Sequence, residues 1–429
     1  MNDFSNLPTS WQIKTLGEVC VSTNSNITFK NIQDKKGDYP IYGASGVVAY
    51  VDFYTKENQS LGIVKDGAGI GRVFLLPPKA SVIGTLHYVE NNDDLNLKYL
   101  FYFLQSINLA RYITGSAIPH IYFRDWKKEQ IPLPPLEIQK RIVARLESAF
   151  EKIEKGSAHL QDAKAKLAKY KQSLLKSAFD GTLTAAASLQ GVEKAETIHK
   201  VDCHDLTSSK LAMTDKENPK LPQGWTIKTL GEVLSNDKYA IKRGPFGSSL
   251  KKNFFVKSGV RVFEQYNPIN QDVEWKRYFI TQEKFKELEA FKAGAGDLLI
   301  SCSGTLGKIL ELPQNVEVGI INQALLKIRL DNTQILNSYF VHLFNSPYMQ
   351  KIILENTLGS TIQNIASVKE LKQIKIPLPP LETQKQIVKL LEKHLQHADK
   401  TGEFIESALN KAKQLKQSLL KSAFLGKLT

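Results

Sequence analysis

Two glycine-rich segments are the first candidates for chemistry in this sequence, because glycine loops can surround the phosphate groups of nucleotide cofactors. Residues 67–72 read GAGIGR and residues 303–308 read SGTLGK. The first segment lacks the GxGxxG spacing of a dinucleotide-binding loop. The second lacks both the four-residue gap and the hydroxyl residue that follows the lysine of a P-loop. Neither segment therefore predicts a bound nucleotide.

Other reactive residue types are also incomplete as catalytic or metal sites. The stretch DVEWK at 272–276 has the acid and lysine spacing of some metal-dependent nucleases, but no upstream acidic partner accompanies it. His199, Cys203 and His204 could bind zinc, but no second cluster completes a set of four ligands. The NPIN segment at Asn267 is not the Asn-Pro-Pro-aromatic motif with which amino-methyltransferases hold a flipped base. We therefore predict no catalytic site, no metal and no cofactor in this chain.

Polar residues on predicted loops fit a different task, the reading of DNA. Base reading requires hydrogen-bond donors and acceptors beside lysines and arginines that hold phosphates. In the first half the candidates are Lys65, Arg72, His87, Ser116, His120, Tyr122 and Arg124. In the second half they are Lys242, Arg243, Ser248, Ser249, Lys251, Lys252, Asn267, Thr305, Gln323, Gln363 and Asn364. The alternative for each is a role in forming a turn, for which Ser, Asn and Gly are also favoured.

Charge and composition favour the same class of partner. The 429 residues carry 57 Lys and Arg against 43 Asp and Glu, a formal net charge of +14, which favours a polyanion. No run of 18 apolar residues and no basic, amphipathic or export-like terminus is present, so we expect a cytoplasmic protein without membrane contact. The three cysteines, Cys20, Cys203 and Cys302, are far apart, so we expect reduced thiols.

Three segments of the first half recur in the second half, and together they form a constant frame around two variable segments. LPTSWQIKTLGEV at 7–19 returns at 221–233 with 10 of 13 positions matching, at an offset of 214. IPLPPLEIQKRIVARLE at 131–147 returns at 376–392 with 13 of 17 matching, at an offset of 245. KQSLLKSAFDGTLT at 171–184 returns at 416–429 with 12 of 14 matching. Between these segments the halves show no extended match, which indicates one task performed twice on different targets.

Each half ends in a predicted long helix. After Pro134 and Pro135, which suit a helix start, helix-forming residues run from 136 to about 179, and Gly181 then ends the helix. Apolar residues recur every seven positions, the pattern of a coiled-coil seam. The predicted seam residues are Leu146, Ile153, Leu160, Leu167, Leu174, Leu391, Ala398, Ile405, Ala412 and Leu419.

A helix with one apolar stripe must bury it, so we expect the two copies to pack on each other. If the halves are related by a pseudo-twofold axis, the helices run antiparallel. Helices of another oligomer, or bundle helices in a conventional core, are the alternatives. The variable segments alternate short apolar runs with glycine turns, which predicts strand-rich mixed modules. The fold class is therefore α+β, with two such modules joined by an antiparallel coiled coil.

The predicted domain organisation follows the repeats: module 1 at 1–130, spacer helix 1 at 131–185, a linker at 186–220, module 2 at 221–375 and spacer helix 2 at 376–429. This order resembles the specificity subunits of type I restriction-modification systems along the whole chain. YPIYGASG, VKDGAGIGRV and RGPFGSSLK are similar to that family, and the paired IPLPPLExQKxIV segments are the most specific signal. The long linker departs from the family pattern and leaves the path between Thr184 and Leu221 open.

The resemblance implies a function that the residues alone do not specify. Each module would be a target-recognition domain that reads one half of a bipartite site in double-stranded DNA, and the helices would set the gap. Two modification subunits carrying S-adenosylmethionine would methylate adenine, and restriction subunits would use ATP and Mg for translocation and cleavage. A methyltransferase or nuclease fused to its own reader would need a cofactor loop that is not found. A purely structural coiled-coil protein leaves the variable segments and the positive charge unexplained.

Overall fold

A computed structural model describes Phe4 and residues 7–115, 119–184, 221–355 and 365–428; for residues 247, 248, 354 and 355 it describes the backbone only. The predicted linker at 186–220, its possible zinc ligands His199, Cys203 and His204, and the candidates Ser116, Gln363 and Asn364 lie outside the described residues. The chain divides into two units, one formed by Met1–Ala163 with Phe404–Thr429 and the other by Lys164–Glu403.

The strands and α-helices of the first half whose bounds lie within its described residues are as follows. The strands are β1 (Gln12–Thr15), β2 (Cys20–Asn24), β3 (Tyr39–Gly43), β4 (Gly46–Val51), β5 (Ser60–Val64), β6 (Val73–Leu76), β7 (Ser81–Val82), β8 (Leu86–Asn91) and β9 (Gln130–Leu133). The helices are α1 (Leu16–Val19), α2 (Phe29–Ile32), α3 (Leu97–Ser106), α4 (Phe123–Trp126) and the long α5 (Leu136–Phe179). A short 3-10 helix, Leu109–Tyr112, follows α3.

The second half contains ten strands and six α-helices among its described residues. The strands are β10 (Thr226–Thr229), β11 (Ile241–Arg243), β12 (Val260–Phe263), β13 (Tyr278–Ile280), β14 (Lys292–Ala293), β15 (Leu298–Ser301), β16 (Ile309–Glu311), β17 (Gly319–Ile321), β18 (Leu325–Ile328) and β19 (Lys375–Leu378). The helices are α6 (Tyr266–Asn270), α7 (Gln282–Glu287), α8 (Asn337–Phe344), α9 (Pro347–Glu355), α10 (Val368–Lys372) and the long α11 (Leu381–Phe424). Short 3-10 helices lie at Leu230–Val233, Gly247–Leu250, Lys252–Phe254 and Glu289–Phe291.

The repeated segments pair with each other within each half. Strand β1 pairs antiparallel with β9, and β10 pairs with β19 in the same register, so the frame closes around each variable insert. The repeated Thr-Leu-Gly-Glu phrase forms a capping box: the backbone N–H of Thr15 donates to Glu18 Oε2 at 2.6 Å, and Thr229 does the same to Glu232. This reciprocal cap satisfies otherwise unpaired N–H groups, which explains the phrase in both copies.

The long helices have the bounds and the pairing that the sequence predicts. Helix α5 ends at Phe179 and is followed by Gly181 with φ of +82°. In the first unit, Lys416 Nζ donates to Glu154 Oε1 at 2.7 Å, and Arg145 donates to the carbonyl oxygen of Leu428. Residue numbers therefore increase along α11 as they decrease along α5, which is the antiparallel arrangement. In the second unit, Lys171 on α5 pairs with Asp399 on α11.

All ten predicted seam residues are buried or half-buried. Each unit combines a strand-rich module, the start of its own long helix and the end of the other one, which confirms the antiparallel packing and the α+β class. The apolar stretch at 338–354 is divided into α8 and α9, because Pro347 suits the first turn of a new helix and cannot extend the previous one. In the described part of the chain, no helix combines the length and apolarity needed to cross a membrane.

Candidate DNA interface

The two variable inserts share the strand order of one four-stranded sheet although their sequences do not match. In module 1 this sheet has the order β2-β8-β5-β6, and in module 2 it has the order β11-β18-β15-β16. A second sheet in each module contains a parallel pair, β3 with β7 and β12 with β17. Since the carboxyl ends of parallel strands meet at one sheet edge, the loops after these strands lie together in each module.

The two glycine-rich segments are equivalent hairpin loops. In module 1 the N–H of Gly71 donates to the carbonyl of Val64 at 2.9 Å, and the N–H of Val64 donates to Arg72 at 3.0 Å. In module 2 the same bonds join Gly307 to Ser301 and Ser301 to Lys308, each at 2.9 Å. Gly71 and Gly307 both have positive φ, +81° and +69°. The glycines therefore shape a turn that ends in a basic residue.

Backbone hydrogen bonds join these hairpins to the loops of the parallel strands. Lys65 donates to the carbonyl of Thr85 at 2.9 Å, and Cys302 donates to that of Ala324 at 2.8 Å. We call the resulting surface the loop edge of each module. In module 1 it comprises residues 43–45, 65–72, 83–85 and 119–124; in module 2 it comprises residues 244–246, 264–267, 302–308 and 322–324.

Five predicted residues of module 1 lie together on its loop edge. The N–H of Ile121 donates to the carbonyl of Lys65 at 2.9 Å, which places the 119–124 segment beside the hairpin. His120 pairs with Asp66, and its ring lies 4.0 Å from that of Tyr122. The guanidinium of Arg124 lies over the Tyr122 ring at 4.4 Å. Arg72 completes the group by donating to the carbonyl of Ala44 at 2.6 Å. Cations and a half-exposed aromatic therefore share one surface.

The structure overturns our assignment of His87 to this surface. The side chain is 2% exposed, and its ring stacks on Trp126 at 5.8 Å. It lies on β8 between β2 and β5, where the four residues from Leu86 to Val89 are all buried, so both faces of this strand are covered. Burial, together with the nearby charges of Lys65 and His120, lowers the pKa of His87 to about 4. His87 is a neutral core residue and does not reach a base.

Because His87 is buried, we expect the folded protein to become less stable at acidic pH. The unfolded residue titrates near 6.5 and the folded one near 4, so the unfolded state binds the proton first and stability falls as pH drops from 6.5 towards 4. Between pH 7.5 and 5, wild type should lose about 2 kcal/mol more stability than His87→Phe. Urea unfolding at both values measures this, and His397→Gln, an exposed site on α11, is the control. Equal losses in wild type and His87→Phe would refute the prediction.

The loop edge of module 2 carries a different set of residues on the same frame. A Cβ at Gly244 would collide with the carbonyl oxygen of Asn322, which shows how closely the segment after β11 approaches Gln323. Phe246 is 70% exposed, and the guanidinium of Arg243 lies 5.8 Å from its ring. Thr305 and Gln323 are exposed on neighbouring loops. An exposed aromatic beside a cation is suited to stack on bases or wedge between them.

Asn267 is the second assignment that the structure overturns. Its side chain is fully buried, accepts from the N–H of Glu264 at 2.9 Å, and donates to the carbonyls of Asp272 and Trp275 at 2.8 and 3.0 Å. All of its hydrogen-bonding groups are engaged in holding the loop after β12, so none is left for a base.

The other candidates of module 2 are spread more widely. Lys242 lies over the rings of Tyr239 and Phe291 at 5.6 and 5.3 Å. Ser249, Lys251 and Lys252 are exposed on or beside the 3-10 helices after Phe246. The side chain of Ser248 is outside the described part of the chain. These residues remain predictions.

Sequence reasoning missed two residues of the loop edge, Lys308 and Phe246. Lys308 occupies the hairpin position that Arg72 holds in module 1, and it is exposed. Aligning GAGIGR with SGTLGK would have found it, but only once both were identified as hairpin loops. No periodicity in the sequence singles out Phe246, because its exposure depends on the close approach at Gly244.

A family model described as the type I restriction modification DNA specificity domain matches residues 8–160 and again residues 222–410. The EcoBI specificity subunit of Escherichia coli is 24% identical over 351 residues, which are 80% of this chain and 68% of that protein. The putative specificity subunit S.HindORF215P of Haemophilus influenzae is 24% identical over 397 residues, 89% of this chain and 86% of that protein.

Solved structures agree on the fold. A chain from a structure of complex assembly and conformational transition in a type I R-M system superposes with a TM-score of 0.68 at 20% identity, over 98% of this chain and 99% of that one. The HsdS subunit from Thermoanaerobacter tengcongensis superposes with a TM-score of 0.53 at 19% identity, over 98% of both chains. Since the family model matches both halves and most of the sequence, this chain belongs to the type I restriction-modification DNA specificity family.

Proposed function

We propose that modules 1 and 2, at 1–130 and 221–375, each read one half of a bipartite DNA site, and that α5 and α11 set the gap between the halves. The observation that carries this proposal is the shared strand order: two modules with the same order of strands in one four-stranded sheet present different side chains at the same loop edge. A constant frame with variable contact residues is what two readers of different sequences require. DNA specificity itself is the property of the family to which the chain belongs.

The loop edges have the chemistry that DNA reading needs. Arg72 and Lys308 stand at equivalent positions of the two hairpins, where a cation can hold a phosphate and fix the register. Around them, Tyr122 with Arg124 and Phe246 with Arg243 differ between the modules. We propose that the equivalent cations position the DNA and that the differing residues distinguish bases, directly in the grooves or through stacking.

The proposed partners follow from the names of the relatives, which are specificity subunits of type I restriction enzymes. The chain would act in the cytoplasm without catalysis of its own. Two modification subunits would bring S-adenosylmethionine and methylate adenines beside each half-site. Restriction subunits would bring ATP and Mg for translocation and cleavage.

The decisive experiment is a methylated-adenine map of DNA from cells that carry this chain with its modification partner. Cells that carry the partner alone are the comparison. A split motif that depends on this chain would support the proposal and identify both half-sites. An unchanged methylation map would contradict it.

The position of Lys308 leads to a binding prediction. Lys308→Met should weaken DNA binding about equally for all sequences and lower the slope of log K against log salt by about 1, because one phosphate contact is lost. Fluorescence anisotropy at several salt concentrations measures both quantities. Lys286→Met is the matched control. Lys286 lies on α7, which follows β13, and the end of β13 pairs with the start of β12. The loop edge begins at the other end of β12. A changed base preference, or an equal effect at Lys286, would refute the phosphate role.

A further inference from the structure

We propose that a buried glutamine and tyrosine in each half form a joint that orients the reading module on the long helices, and that these joints decide how strictly the gap between half-sites is read. Joint 1 consists of Gln139 and Tyr99, and joint 2 of Gln384 and Tyr339. The inference rests on the proposed bipartite reading, and it assigns to four residues a control of spacing that helix length alone would not provide.

Joint 1 holds the start of α5 against the module through one amide. Gln139 is fully buried. Its Oε1 accepts from the N–H of Asn96 at 2.8 Å, and its Nε2 donates to the carbonyls of Asp94 and Pro134 at 3.0 and 2.9 Å. Asn96 is the N-cap of α3 and accepts from the N–H of Tyr99. A single side chain thus joins the first turn of the long helix to the first turn of a module helix.

Tyr99 adds a third element to the same joint. It is fully buried, and its hydroxyl donates to the carbonyl of Pro132 at 2.8 Å. Its ring packs edge-on against Phe424, at the end of α11, with 5.1 Å between centroids. The tyrosine therefore contacts the strand before α5 and the last turn of α11, while lying on a helix of the module.

Joint 2 repeats this arrangement in the second unit. Gln384 is fully buried; its Oε1 accepts from the N–H of Leu336 at 2.9 Å, and its Nε2 donates to the carbonyls of Gln334 and Pro379, each at 2.9 Å. Leu336 is the N-cap of α8. The hydroxyl of Tyr339 donates to the carbonyl of Pro377 at 2.9 Å, and its ring packs against Phe179 at 5.4 Å.

The duplication argues that the joint has a task beyond filling a core. The amides bond only to backbone groups, so the same glutamine serves two modules whose side chains differ. Each amide satisfies one N–H and two carbonyls, and its removal leaves these three backbone groups without that partner. Because two of the three bonds in each joint cross from the long helix to the module, they fix an orientation rather than only an amount of burial.

Orientation matters for spacing because DNA is helical. Moving a half-site by one base pair shifts it by about 3.4 Å and turns it by about 35° around the DNA axis. A module held firmly on its helix follows that turn only at an energetic cost, so it binds weakly at the wrong gap. A module on a loosened joint can rotate to meet it, while its loop edge still reads the same bases.

The test is a methylated-adenine map of DNA modified by the complete complex that carries the Gln384→Met variant. This substitution removes the amide and keeps a side chain of similar volume. We expect methylation at the same two half-sites. At gaps one base pair shorter or longer than the natural gap, methylation should rise at least about tenfold over wild type, because a tenfold change corresponds to the loss of about one or two hydrogen bonds. Tyr339→Phe, which keeps the ring against Phe179, should give a smaller rise. If Gln384→Met does not assemble, Gln384→Glu and Tyr339→Phe decide the question.

Two controls separate positioning from simple destabilisation. Gln386→Met changes an exposed glutamine two residues further along α11 and should leave the gap unchanged. Ile300→Val weakens the core of module 2 and should lower methylation at all gaps alike. A strict gap in both joint variants, or altered base preference within a half-site, would overturn the inference. A wild-type complex without any split motif would overturn the proposed function and this inference together.

Discussion

Inserting one heptad into both long helices is expected to lengthen the recognised gap by about three base pairs and to leave both half-sites unchanged. Seven residues extend a helix by about 10.5 Å, and one base pair occupies about 3.4 Å. The insertions belong after Ala163 and after Glu403, where the chain passes between its two units. A full heptad returns every apolar seam residue to the same face.

Both helices must be extended because they pair antiparallel within each unit, as the Lys416–Glu154 and Lys171–Asp399 ion pairs show. A methylated-adenine map measures the length of the gap and the sequences of both half-sites. Since three base pairs also turn the second half-site by about 105°, methylation at the new gap should be slower than at the natural one. A four-residue insertion is the comparison, because it rotates the seam away from its partner. New base preferences at an unchanged gap would contradict the spacer role.

The sequence predicts the long helices well because their signal is local and periodic. The heptad positions, the proline pair before Leu136 and the glycine after Phe179 each act within a few residues. The repeated frame was equally readable, since β1 pairs with β9 and β10 with β19 inside matched segments. The common strand order of the two inserts was not readable, because it depends on long-range backbone pairing that different side chains can support.

Individual site residues were harder to predict for a related reason. His87 and Asn267 are polar residues in the variable inserts, as base-reading residues would be, and both are buried. Only the covering of both faces of β8 and the loop closure after β12 exclude them from the surface. The joint glutamines lie in the most conspicuous repeat of the sequence, yet their partners, Asn96 and Leu336, lie in the variable inserts. The sequence repeat therefore identifies the glutamine, but only the structure identifies the backbone groups that it binds.

Asp297→Ala is expected to destabilise module 2 strongly, by about 3–5 kcal/mol, the range for removing one partner of a buried ion pair. The carboxylate of Asp297 is fully buried and accepts from Arg329 Nε and Nη2 at 2.7 and 2.8 Å, and from the N–H of Gly294 at 2.8 Å. Arg329 also pairs with Asp237. This network ties the start of β15 to the end of β18 and to the turn before β11.

The loss is large because a second cation depends on the same charge. Lys327 is 2% exposed; burial lowers its pKa, the nearby Asp297 carboxylate opposes that effect, and its Nζ donates to the carbonyl of Lys292 at 2.8 Å. Hydrogen exchange of β15 and β18, with urea unfolding, measures the effect. Asp297→Asn, which keeps an acceptor for Gly294, should lose less. Glu287→Ala breaks the exposed pair with Lys284 and should cost less than about 1 kcal/mol. Equal losses in the Asp297→Ala and Glu287→Ala variants would show that the buried network does not stabilise the module.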